Sequence, residues 1–143
     1  MAIANLQEVI LASIERKNQL QYEITTLQAQ KNLATYSQAD AQALLTSEKG
    51  AIRDFYKKLY ESDESLQEAY TDYTDIPDFE EEIDKITAKF EQQLEELNAW
   101  ETVIDAQITT NSAELEEINA YLESYRSMLS SNIQEDFDFG LNG

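Results

Sequence analysis

Residues 3–34, IANLQEVILASIERKNQLQYEITTLQAQKNLA, place apolar side chains seven positions apart. Ile3, Ile10 and Ile24 form one row, and Leu6, Leu20, Leu27 and Ala34 form a second row three residues on. Further along, the first row continues as Leu45, Ile52 and Leu59, and the second as Ala41 and Phe55. A sustained seven-residue repeat marks long helices that bury a narrow stripe against other helices. The repeat breaks once and returns in a new register. Ile83, Phe90, Leu97, Ile104, Ile118 and Tyr125 make its first row, and Leu94, Ile108, Leu115, Leu122 and Leu129 its second.

The break falls in residues 60–83, YESDESLQEAYTDYTDIPDFEEEI. Ser62, Asp63, Thr71, Asp72, Thr74 and Asp75 are turn and cap residues, and Pro77 suits the first turn of a following helix. Asp75 and Asp78 are candidate caps, and Glu80, Glu81 and Glu82 sit at the positive end of the helix dipole. With only 3 Gly and 1 Pro in 143 residues, the chain has few further turns to spend. The expected fold is all-α: a long antiparallel helical hairpin, a coiled coil completed into a bundle by self-association. It is read as a single unit, with arm 1 over about residues 2–62, a turn over about 63–77, arm 2 over about 78–132 and a tail over 133–143. Arms of about 55 residues would each be about 80 Å long. Gly50 lies off the seam and the register continues across it, so the first helix is read as continuous, with at most a bend there; a true break is the alternative.

Net charge is −19 and unevenly spread. Residues 1–59 hold 7 basic and 6 acidic side chains, whereas residues 60–143 hold 3 basic and 23 acidic. A near-neutral arm packed on an acidic one repels itself less than two acidic arms would. This charge argues against nucleic acid as a partner, because phosphate binding needs clustered Lys and Arg. The absence of Cys and His removes disulfides, zinc fingers, thiol catalysis and a Ser-His-Asp triad. No stretch approaches the roughly 18 apolar residues of a membrane span, and the N-terminal residues do not read as a cleaved secretory signal. The expected location is cytoplasmic, or exported by a signal-less route.

Several polar groups stand at seam positions. Asn111 is the candidate register-setting residue, as single buried polar groups are in coiled coils. Lys17, Lys31 and Glu101 either set register too or snorkel to water; Gln38 is a further polar entry at the seam. The acids Asp72, Asp75, Asp78 and Glu80–Glu82 lack the spacing and internal Gly of a calcium loop. The pairs Glu95/Glu96 and Glu116/Glu117 lack the His that carboxylate-bridged metal bundles use. No cofactor or metal is expected.

Apolar side chains beyond the seam widen the stripe past what two helices need. Val9, Ile14, Tyr22, Tyr36 and Leu44 do so in the first arm, and Ile86, Trp100, Tyr121 and Met128 in the second. Tyr56 and Tyr60 near the turn, and Phe137, Phe139 and Leu141 in the tail, complete the candidate contact residues. Tyrosine suits binding surfaces because it offers area and a polar handle at low entropy cost. The tail is read as a docking segment or a strap folded onto the rod.

The layout resembles the small helical hairpins of bacterial export machinery. Tyr60-x-x-x-Glu64 matches a Y-x-x-x-D/E export pattern, but Trp100 is followed by Glu101 and Thr102 rather than a W-x-G turn. The resemblance carries no residue roles across. The expected function is non-enzymatic: a structural or assembly protein that self-associates laterally, as a filament or shell subunit. The alternative is an adaptor or chaperone-like hairpin that holds another protein through the tip tyrosines and the acidic face, in a bacterial secretion or virion assembly.

Overall fold

The computed structural model describes residues 2–142, with side chains described to Gly140. Helix α1 (Ile3–Ser62) and helix α3 (Pro77–Asn142) pack against each other as a helical hairpin. Between them lie a short helix α2 (Glu64–Ala69) and a 3-10 turn (Tyr73–Asp75). No strand occurs among the described residues.

The chain divides into two compact units. The first joins Met1–Gln30 with Val103–Gly143. Its buried residues are Leu6, Ile10 and Leu20 on α1, and Ile104 and Leu122 on α3. All five belong to the predicted rows. Burying such a side chain is worth about 1.5–3 kcal/mol, so a few of them on each helix dominate the unit. No polar or charged residue is buried among the described residues.

The second unit, Lys31–Thr102, contains the turn. Here the seam departs from the sevens. The heptad points Phe55 and Leu59 inward, yet Phe55 is 60% exposed and its neighbour Tyr56 only 5%. Tyr60, not Leu59, is the half-buried residue one turn on. The inward line runs Ala34, Leu45, Tyr56, in steps of eleven residues. An undistorted helix drifts about 20° per heptad away from a strict seven-residue repeat, and an eleven-residue step absorbs that drift. The packing thus follows helix geometry where the sequence pattern offers both Phe55 and Tyr56.

The turn is built from local hydrogen bonds. Asp63 caps α2, its Oδ1 accepting from the Ser65 amide at 2.9 Å. Pro77 takes the first position of α3, as expected. Neither Asp75 nor Asp78 caps that helix. Asp75 ends the 3-10 turn, Asp78 lies within the first turn of α3, and the extended residue between them is the buried Ile76.

One further reading holds and one changes. Helix α1 runs through Gly50 without a break and with no positive φ. Helix α3 continues to Asn142, through the segment read as a tail. Losing the heptad removes a packing partner but not the i→i−4 backbone bonds, and residues 133–139 hold no Pro or Gly to interrupt them.

Candidate protein-interaction faces

Polar side chains bridge α1 and α3 beside the apolar seam in both units. In the first unit Arg16 grips Glu114 with a fork: Nε donates to Oε1 at 2.8 Å and Nη2 to Oε2 at 2.9 Å. This bidentate geometry is the strong form of the contact. The guanidinium lowers the Glu114 pKa below its usual 4.5, and Glu114 raises that of Arg16. Asn111 Nδ2 donates to Glu23 Oε2 at 3.2 Å across the same pair of helices. In the second unit Gln38 Nε2 donates to Glu101 Oε2 at 2.9 Å. Asn111, Gln38 and Glu101 therefore each span α1 and α3. Lys17 and Lys31 are half-buried.

The Arg16–Glu114 pair was not anticipated. Both residues lie beside the seam, and only the antiparallel register brings them together. Because the folded pKa of Glu114 is depressed, its contribution is complete above pH 4.5 and is lost as pH falls through the lowered value. Glu114→Gln should therefore lower the melting temperature at neutral pH, by an amount that shrinks in acid. Thermal unfolding of the two proteins at pH 7 and well below 4.5 checks this; an equal gap at both pH values would refute it.

The tip tyrosines are occupied internally. Tyr56, expected on a contact surface, is a core residue: its ring meets Phe79 edge-on at 5.6 Å and Phe55 at 5.2 Å. Burial, with the carboxylates of Glu82, Asp78 and Glu81 nearby, pushes its pKa up. The Tyr60 hydroxyl donates to the carbonyls of Tyr70 and Thr71, both at 3.0 Å. Gln67 Nε2 returns to the carbonyls of Tyr60 and Glu61. These side chains close the turn rather than present a surface, and together they satisfy four backbone carbonyls at the helix end and in the turn.

The remaining candidates face outward to different degrees. Ile14 is half-buried, and Trp100 is 37% exposed. Tyr22, Tyr36, Tyr121, Met128, Phe137 and Phe139 are exposed, Tyr22 at 75% and Phe139 at 80%. Phe137 and Phe139 do not fold back as a strap. The side chain of Leu141 lies outside the described residues.

In the first unit a shallow groove of about 410 Å³ is lined by Tyr22, Glu23, Thr26 and Leu27 on α1, and by Gln107 and Asn111 on α3. Along α3 in the same unit, Val103, Tyr121 and Phe139 are exposed at intervals of eighteen residues, which is five turns of an α-helix. Met128, seven residues after Tyr121, falls within about 20° of that line. Tyr121 stacks on Tyr125, with ring centroids 6.1 Å apart, and donates its hydroxyl to Glu117 at 2.8 Å, which raises its pKa. Sequence reading missed Val103, because a lone valine outside the seam looks like ordinary filler.

In the second unit Leu33, Leu44 and Phe55 are exposed on α1 at intervals of eleven residues, three helical turns. Leu33 and Phe55 were not among the expected contact residues. The heptad assigns Phe55 to the seam instead.

Comparison with protein-family models, with curated proteins and with solved structures gave no match. Among the described residues no helix is long and apolar enough to cross a membrane. Nor does any group of three or more Asp or Glu converge in a way that could hold a metal ion.

Proposed function

We propose that this protein is a non-enzymatic assembly subunit, a helical hairpin that associates laterally with copies of itself through apolar side chains left outside the seam. The observation that carries this reading is the set of large exposed residues arranged along helix lines, Tyr22, Tyr121, Met128 and Phe139 in one unit and Leu33 and Leu44 in the other. Single exposed apolar residues are normal, but contiguous ones mark interaction surfaces, and on α3 Tyr121 stacks on Tyr125 with Met128 one turn further on. The near-neutral α1, with 7 basic and 7 acidic residues, offers a side on which copies can meet without strong repulsion.

The alternative adaptor reading rests on the tip tyrosines together with the acidic face, and of these two parts the structure bears on the tyrosines. With Tyr56 buried and Tyr60 bonded to two carbonyls, no observation favours that surface.

Light-scattering mass over a concentration series tests the proposal. The mass should rise with concentration, and Tyr121→Ala with Leu44→Ala should reduce that rise while leaving helicity unchanged. A wild type that stays monomeric at the highest attainable concentration would overturn it.

A further inference from the structure

In the second unit the outer side of α1 carries Leu44 and Phe55, 52% and 60% exposed, with Leu59 at its edge. An α-helix turns about 100° per residue, which places the neighbours of this side. Asp40 and Lys58 both lie about 40° to one side of Leu44, and Ala41 and Leu59 both about 60° to the other. Phe55 and the exposed Ala51 fall within about 20° of Leu44, and Glu48 about 40° from it. Lys49, Arg53 and Lys57 lie at least about 140° away and take no part.

This side is complementary to itself when turned end for end. Two α1 helices laid antiparallel about a two-fold axis, with the axis between Lys49 and Gly50, set Leu44 of each opposite Phe55 of the other. Within one residue of that register, Asp40 stands opposite Lys58 and Ala41 opposite Leu59. Antiparallel pairing brings matching edges together, so acid meets base on one edge and apolar meets apolar on the other. Each pairing occurs twice by symmetry, as an isologous contact requires. Parallel pairing would instead set Asp40, Glu48 and Lys58 each against its own copy. At the limits of the contact Ser37 faces Ser62, the last residue of α1.

The two end charges are free to make this contact. Neither Asp40 nor Lys58 has an ion-pair partner among the described residues. Asp40 has Tyr36, Ser37, Ala43 and Leu44 one turn away on its own helix, and no cation among them. Lys58 has Asp54 and Glu61 one turn away and pairs with neither. One residue opposes the fit: Glu48 meets its own copy near the axis, where small Ala51 lets the helices approach.

We infer that residues 40–59 of α1 are covered by the same residues of a second copy, in an antiparallel two-fold contact. The inference rests on the self-association proposed above and specifies one of its contacts, which lies wholly in the second unit. Leu44 and Phe55 supply the burial, and Asp40 with Lys58 selects orientation and register.

The chain has no cysteine, so single cysteines report the register. Ala51→Cys sets the two thiols within about 5 Å of each other along the axis, and Leu33→Cys sets them about 50 Å apart. Treated with diamide, Ala51→Cys should form a disulfide-linked pair and Leu33→Cys should not. Asp40→Lys sets lysine against lysine at both ends of the contact, and Lys58→Asp sets acid against acid. Each should weaken association at least about tenfold by light-scattering mass. Their equimolar mixture should recover it as mixed pairs, since each new charge then meets its opposite. Glu48→Gln removes the like-charge meeting and should strengthen association. These positions are exposed or half-buried, and far-UV ellipticity verifies that the fold survives.

If the wild type associates but Ala51→Cys links no faster than Leu33→Cys, the inference falls while lateral association stands. A charge-reversed mixture as weak as its components, or weaker association of Glu48→Gln, overturns it likewise. A wild type that never associates overturns both readings.

Discussion

Replacing Tyr56 with alanine is expected to destabilise the protein by about 3–5 kcal/mol, the range for truncating a buried aromatic residue. Tyr56 is 5% exposed, and its ring is the point at which Phe55 and Phe79 meet edge-on. Edge-to-face pairs add about 0.5–1.5 kcal/mol each beyond the area they bury. The turn unit has few other buried side chains, so no neighbour can refill the space. Tyr56→Phe should cost much less, since it keeps the ring and removes only the hydroxyl. Denaturant unfolding followed by far-UV ellipticity would compare the three proteins. A loss below about 1 kcal/mol for Tyr56→Ala would mean that the heptad, with Phe55 inward, describes the seam after all.

Leu20→Ala should have the second largest effect, about 2–4 kcal/mol. Leu20 is fully buried in the first unit. Truncation removes three carbons from contact and leaves a void against α3. The lower part of the usual range applies because the seam is only one stripe wide and water lies close by. Leu11→Ala is the matched control. It removes the same atoms from the same helix at a position 62% exposed, and its cost should stay within about 0.5 kcal/mol. Equal losses at the two sites would show that Leu11 is covered in solution, which concentration-dependent unfolding would reveal.

Much of the hairpin was legible in the sequence. Every apolar residue of the second register, from Ile83 to Leu129, is buried or half-buried on α3. The first register holds as far as Ile52 and then fails at Phe55 and Leu59. The reason is geometric. Heptad reading assumes 3.5 residues per turn throughout, and Phe55 and Tyr56 are both good core residues, so local pattern could not decide between them. The continuation of α3 through Phe137 and Phe139 was not legible because a helix without a packing partner leaves no periodic trace. The contact faces were half legible. Tyr22, Tyr121 and Met128 stood out as large residues off the seam, whereas Val103 and Leu33 gain meaning only from their eighteen- and eleven-residue spacing. The fork between Arg16 and Glu114 needed the register of the folded hairpin, which no single helix contains.

That no polar or charged side chain is buried among the described residues has a physiological corollary. The chain contains no histidine, and four groups among the described residues are displaced away from neutrality: Glu114 downward, Tyr56, Tyr121 and Arg16 upward. No imidazole is therefore available to switch charge between pH 5 and 8. The electrostatic lever the molecule does feel is the surrounding salt, which screens its 29 carboxylates and so sets how readily its copies approach one another.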